Sequence, residues 1–312
     1  MAQLIKLRDY ISRYEWNIFR YPTQFIRLKQ ENWQKLKTIW EEKHSEKMAE
    51  EDLPQQEKQQ RFFGLWALFH KKAKAEQSEF AVQTPRLPAD EHLLKQYFLD
   101  KLFPSQLKWA TSTVTDVSFI SQKYHYDKNL KYFLQRFPDT YLLMYNPIFS
   151  IKETPVDGEI IMISPIGIEI IHLFPEDMPG SITADDGRFW NMELRGNTSS
   201  ILNPFISLKR TEQIIRSIFH QKHIDFPIQK TVLAPNLPIY FHKEPYQARI
   251  IGSREYAKWF KEKRALVSPL KSRQLHVAEA LLLYCQTNAV KRPEWEEDEE
   301  ADAFTFSDGE MK

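Results

Sequence analysis

Apolar residues recur at three- and four-residue steps near the start of the chain. Leu4, Leu7, Tyr10, Ile11 and Tyr14 make one stripe of the kind a helix buries, so the first fifty residues read as helical. Pro22 interrupts the stripe and opens a second helix, where its missing N–H costs nothing. That helix carries Phe25, Ile26, Leu28, Trp33, Leu36, Ile39 and Trp40 among lysines and glutamates. Glu, Lys and Gln dominate residues 41–60, a solvated helix extension or a linker. Residues 61–70 are a dense aromatic run (Phe62, Phe63, Trp66, Phe69) followed by Lys71, Lys72 and Lys74. Pro85 and Pro88 among polar residues make 76–90 a linker.

Beyond residue 90 the period changes. Residues 91–103 read as a helix with Leu93, Leu94, Tyr97, Phe98 and Leu102 on one face, and 127–137 as another with Leu130, Phe133 and Leu134. Strand character appears at 140–144 and 148–151, then more strongly at 159–164 and 167–174, two β-branched runs joined by Pro165-Ile166. Runs this apolar belong to a central sheet covered on both faces. Asn203 is a cap, Pro204 a first-turn residue, and Ile206, Ile214, Ile215, Ile218 and Phe219 a buried helical stripe. A strand at 228–233 and helices at 254–264 and 274–286 complete one mixed α/β domain. The chain therefore divides into a helical N-terminal region (1–75), a linker (76–90), an α/β domain (91–290) and a tail (291–312). Glu294, Glu296, Glu297, Asp298, Glu299, Glu300 and Asp302 make that tail acidic, and like charge at a terminus predicts disorder.

Composition bounds what these elements can do. The 312 residues are 42% hydrophobic and 27% charged, enough for a sizeable core. A formal net charge of +1 means that any attraction to nucleic acid or membrane must come from a local patch. One such patch is Lys258, Lys261, Lys263, Arg264, Lys271 and Arg273, interleaved with Tyr256, Trp259 and Phe260. It reads as a phosphate-contacting stripe or as a solvated helix face. The single cysteine, Cys285, forms no intramolecular disulfide and sits in an apolar run as a small packed side chain. A reducing, cytoplasmic setting follows, with no transmembrane segment. The aromatic run at 61–70 either packs on the preceding helices or lies in a membrane interface with its lysines on headgroups. Trp16, Trp33, Trp40 and Trp66 among basic residues extend that alternative to a partner protein or a membrane surface.

One constellation carries a family likeness. Asp157 and Glu159 precede a strand; a turn ends at Gly167; a second strand runs to Phe174; Gly180, Trp190 and Asn203-Pro204 follow before a helix. In order and spacing, residues 90–265 resemble the nuclease-related (NERD) domain, whose fold is similar to that of restriction endonucleases. The resemblance implies a mixed sheet flanked by helices. In active members an acidic residue and a Glu-x-Lys strand bind Mg²⁺ or Mn²⁺, which polarises phosphate and activates water. Residues two apart on a strand share a face, so Glu-x-Lys places both groups on one metal site. Aligned through Gly167, Glu159 falls on the metal-binding Asp, His172 on the Glu, Phe174 on the Lys and Ser207 on a helix Gln. Glu169 faces away from His172, and Glu176 and Asp177 are the nearest carboxylates that can substitute. The leading expectation is a non-catalytic NERD-like protein that binds nucleic acid or protein and needs no cofactor. The alternatives are a metal-dependent nuclease using His172 with Asp157 and Glu159, and a partner- or membrane-binding protein acting through residues 1–75.

Overall fold

The computed structural model describes residues 1–51, 87–241 and 248–292. The aromatic run at 61–70, the linker as far as residue 86 and the acidic side chains of the tail lie outside the described residues. The chain forms two compact units, Met1–Thr23 with Gln106–Lys312, and Gln24–Ser105. Among the described residues there are seven α-helices and a mixed six-stranded sheet. No described helix is long and apolar enough to cross a membrane.

The elements run β1 (Gln3–Leu7), α1 (Arg13–Trp16), α2 (Tyr21–Glu51), α3 (Glu91–Trp109), β2 (Asp116–Val117), α4 (Lys128–Arg136), β3 (Leu142–Tyr145), β4 (Ile148–Ile151) and β5 (Thr154–Asp157). Next come β6 (Ile160–Ser164), β7 (Gly167–Leu173), β8 (Ser181–Thr183), β9 (Phe189–Leu194), β10 (Asn197–Leu202), α5 (Phe205–Lys222) and β11 (Ile228–Leu233). The last are β12 (Ile239–Tyr240), β13 (Ala248–Ile251), α6 (Tyr256–Arg264), α7 (Ser272–Leu283) and β14 (Val290–Lys291).

The main sheet has the order β1-β3-β6-β7-β11-β13. Strands β3, β6 and β7 form an antiparallel meander, whereas β11 lies parallel to β7, β13 parallel to β11, and β1 parallel to β3. Every residue of β3 and β6 is buried. Helices cover both faces, so these strands carry no polar alternation. Each fully buried Ile or Leu contributes about 1.5–3 kcal/mol. The β6–β7 turn is closed by Ser164, whose Oγ accepts from the Gly167 N–H at 3.1 Å and donates to the Gly167 carbonyl at 2.8 Å.

The N-terminal stripe is not a helix where it was expected. Residues 3–7 form β1, paired in parallel with β3, and all five are buried. A strand covered on both faces has no period, so the spacing of Leu4 and Leu7 is a coincidence of a continuously buried run. Even Lys6 is enclosed; its ammonium donates to the Tyr10 carbonyl (2.9 Å), to Glu15 (2.5 Å) and to Thr287 Oγ1 (2.9 Å). The first 23 residues thus belong to the α/β unit and not to a helical N-terminal region. Within that stretch only α1 and the first residues of α2 are helical, and the Ser12 side chain caps α1 by accepting from the Tyr14 N–H.

A second sheet, β10-β9-β8-β12, occupies residues for which no strands were expected. Its β10 sequence, Asn-Thr-Ser-Ser-Ile-Leu, is polar and mostly exposed, which hides it from any hydrophobic pattern. The unit Gln24–Ser105 contains most of α2 and α3. There Trp33 packs on Phe98 (ring centres 5.3 Å apart) and Trp40 Nε1 donates to the Pro88 carbonyl at 2.6 Å. Pro22 is the second residue of α2, as its chemistry requires, and the helix continues through Glu51.

Candidate functional site

Strand alternation sorts the polar side chains of the main sheet onto two faces. The register pairs Ile160 with Ile171, which sets Glu159 opposite His172 at the mouth of the β6–β7 hairpin. His172 Nδ1 lies 3.1 Å from Glu159 Oε1. Helix α5 packs over β7 and β11 and brings its first turns to the same place. The Glu159 N–H donates to Thr211 Oγ1 at 3.2 Å, and Ser207, whose hydroxyl donates to the Pro204 carbonyl at 2.9 Å, stands close enough to favour the charged carboxylate. Three of the four positions that the expected likeness singled out, namely 159, 172 and 207, therefore lie together. Phe174, at the fourth, is buried with its ring against that of His172, 5.3 Å between centres.

The electrostatics of Glu159 are a contest. Burial pushes its carboxyl up, but the His172 hydrogen bond and charge, the Ser207 hydroxyl and the Arg210 guanidinium outweigh it and hold the group below the usual carboxylate range. His172 has its Nδ1 engaged by a carboxylate and its side chain 30% exposed. That arrangement favours the Nδ1–H tautomer, which leaves Nε2 as an acceptor for a proton donor.

A divalent metal does not fit this donor set. Asp157, the expected second carboxylate, turns to Arg8 (Nη2 to Oδ1 3.5 Å) at the end of the β4–β5 hairpin. Glu176 also lies elsewhere, where its charge acts on the hydroxyls of Tyr132 and Tyr256. Glu169 projects to the opposite face, as its odd spacing from His172 requires. No group of three or more His, Cys, Asp or Glu side chains among the described residues can hold a metal. One carboxylate and one imidazole lack the oxygen ligands that Mg²⁺ or Mn²⁺ demands.

The basic stripe also divides. Lys258, Lys261 and Arg264 on α6, and Lys271 and Arg273 at the start of α7, are exposed. Lys263 is not free for phosphate; its ammonium is 2.6 Å from Glu169 Oε2, and Glu169 is buried. Glu169 Oε1 also accepts from Thr231 Oγ1 (2.5 Å) and Trp259 Nε1 (3.0 Å), so this carboxylate ties β7, β11 and α6 together. Arg273 lies near Asp225 at 3.7 Å and over the Phe226 ring. Sequence reasoning missed a second buried pair, Lys230 on β11 with Glu212 on α5, which also binds Arg216. Only the charged residues in otherwise apolar stretches hinted at it.

Two large concave sites stand apart from Glu159 and His172. A groove of about 830 Å³ is lined by Trp16, Phe19, His276 and Leu283, with Cys285 at its edge. Burial pushes the Cys285 thiol up to about 12, and its Sγ donates to the Leu281 carbonyl at 3.4 Å. A cleft of about 490 Å³ lies beside Glu169 and Lys263.

A curated protein of Geobacillus stearothermophilus, named RNA 2',3'-cyclic phosphodiesterase, is 36% identical to this chain over 116 residues, covering 34% of this chain and 36% of that protein. The chain thus spans about a third of the length of the curated relative it matches. No family model and no solved structure matches the chain.

Proposed function

We propose that this chain is a nucleic-acid-binding protein on a NERD-like, restriction-endonuclease-like scaffold whose metal-dependent cleavage site has been replaced by the Glu159–His172 pair. The observation that carries this reading is the convergence of Glu159, His172 and Ser207 at one point between β6, β7 and α5. The motif order assigns those three positions, with Phe174 as a fourth, to the site of the NERD-like scaffold. The antiparallel meander β3-β6-β7, followed by α5 and a β11 strand parallel to β7, supports the same scaffold. The printed activity of the relative brings RNA into the reading, and exposed Lys258, Lys261 and Arg264 supply a surface for phosphates.

The test is a binding titration of the full chain with RNA and DNA at low and moderate salt. Affinity should fall steeply with salt, and Lys258→Ala/Lys261→Ala should weaken binding across sequences while flattening the salt slope. Cleavage of DNA that requires Mg²⁺ or Mn²⁺ and is lost in Glu159→Ala would overturn the metal-free site.

A second reading is favoured by the imidazole anchored on a carboxylate beside a hydroxyl, together with the relative's name. In it His172 assists hydrolysis of a 2',3'-cyclic phosphate without metal. It predicts ring opening that survives a chelator and disappears in His172→Ala.

A further inference from the structure

Among the described residues the small sheet presents an exposed face whose chemistry the reading above does not use. Register pairing places Ser200, Asn191, Thr183 and Tyr240 in one row across β10, β9, β8 and β12, and Leu202 beside Phe189 in the row two residues along. All six are exposed. The opposite face holds Trp190, Ile182 and Ile239, all buried, so the exposed rings are not displaced core residues. Each of the two rings carries a guanidinium: Arg188 lies over Phe189 at 5.8 Å, and Arg254 lies over Tyr240 at 5.2 Å.

We infer that this face is a stacking platform for single-stranded nucleic acid, with Phe189 and Tyr240 receiving unpaired bases. The inference rests on the proposed nucleic-acid reading and names the form of the ligand. Strand spacing of ~4.8 Å and a rise of ~3.4 Å per residue put the two rings roughly 12 Å apart, a span of a few nucleotides. Ser200, Asn191 and Thr183, in the row with Tyr240, offer an amide and two hydroxyls and no charge, which suits base edges. The two arginines supply the positive charge that phosphates need. Glu193, on the same face two residues beyond Asn191, and Asp185 and Asp186 in the β8–β9 turn add negative charge around the row. A protein partner would call for a contiguous apolar patch, and here two separate rings are divided by polar side chains. The platform also leads somewhere: Leu202 ends β10, and Asn203 and Pro204 connect it directly to α5, whose Ser207 stands at Glu159.

The test measures fluorescence anisotropy of the full chain with a short labelled single-stranded RNA and with a hairpin duplex of the same composition. Phe189→Ala and Tyr240→Ala should each weaken single-strand binding about tenfold, given typical base–aromatic stacking, with duplex affinity unchanged. Tyr240→Phe should keep the wild-type value. Both rings are exposed, so thermal melts of the variants should match wild type and exclude a folding defect. Wild-type binding unaltered in both alanine variants, or equal losses for single strand and duplex, would overturn the platform while leaving nucleic-acid binding intact. If the wild-type chain binds neither ligand, the broader reading falls and takes the platform with it.

Discussion

Glu159 shows how one carboxylate can be half-buried and still ionised. Desolvation opposes its charge, and His172, Ser207 and Arg210 together more than offset it, so its folded pKa lies below the unfolded value. Between those two values the unfolded chain binds more protons than the folded one. Stability from this group is therefore complete above the ordinary carboxylate value of about 4.3 and is lost as pH falls through the folded value. Urea midpoints should drop across that acid window. In Glu159→Gln this component should vanish, and a variant whose midpoints follow the wild-type curve would contradict the assignment. Glu169 is a larger structural liability. Glu169→Ala strips Lys263, Trp259 and Thr231 of their common acceptor and should cost about 3 kcal/mol by chemical denaturation. That is the low end for a broken buried pair, because Lys263 keeps some water. The sequence placed Glu159 and His172 at one expected site, and strand register does bring them within 3.1 Å of each other. It misassigned Lys263 because a lysine on a helix face looks the same whether it meets solvent or a carboxylate ninety-four positions earlier.

Elements were legible where burial was uniform or amphipathic. Strand β11 falls on its expected residues, and β6, β7, α4, α6 and α7 fall within a few of theirs, because apolar runs and apolar faces dictate them. Helix α4 also carries a cap that the apolar pattern did not point to. Asp127 Oδ1 accepts from the N–H groups of Asn129 (2.9 Å) and Leu130 (3.0 Å), so Asp127→Ala should cost about 1 kcal/mol in unfolding free energy and Asp127→Asn much less. Strands β8, β9 and β10 escaped notice because one of their faces is wet and polar. Gly180, before β8, is nevertheless required there. Its φ is +96°, and an added Cβ would stand 2.1 Å from the Glu193 carbonyl oxygen. Gly180→Ala should force β8 from β9, cost more than about 1 kcal/mol, and speed hydrogen exchange across that pair first.

At the scale of the whole molecule, the α/β unit depends on its first residues. Strand β1 supplies Leu4, Ile5 and Leu7 to the core, its Leu4 N–H donates to Gln106 Oε1, and Lys6 fastens Glu15 and Thr287. A chain lacking residues 1–10 should lose its cooperative thermal transition; a sharp melt near the wild-type temperature would refute this dependence. This part of the architecture was the least legible, since a short strand buried on both faces has no signature until its partner is known. That partner has a consequence for synthesis. Gln3 pairs with Leu142, so the first strand leaves the ribosome long before anything exists for it to join. At a translation speed of ~5–20 residues per second, the wait is on the order of ten seconds. Through that interval an apolar segment with open backbone donors and acceptors is exposed, and a chaperone or a slowed ribosome would decide how much of the protein reaches its native form.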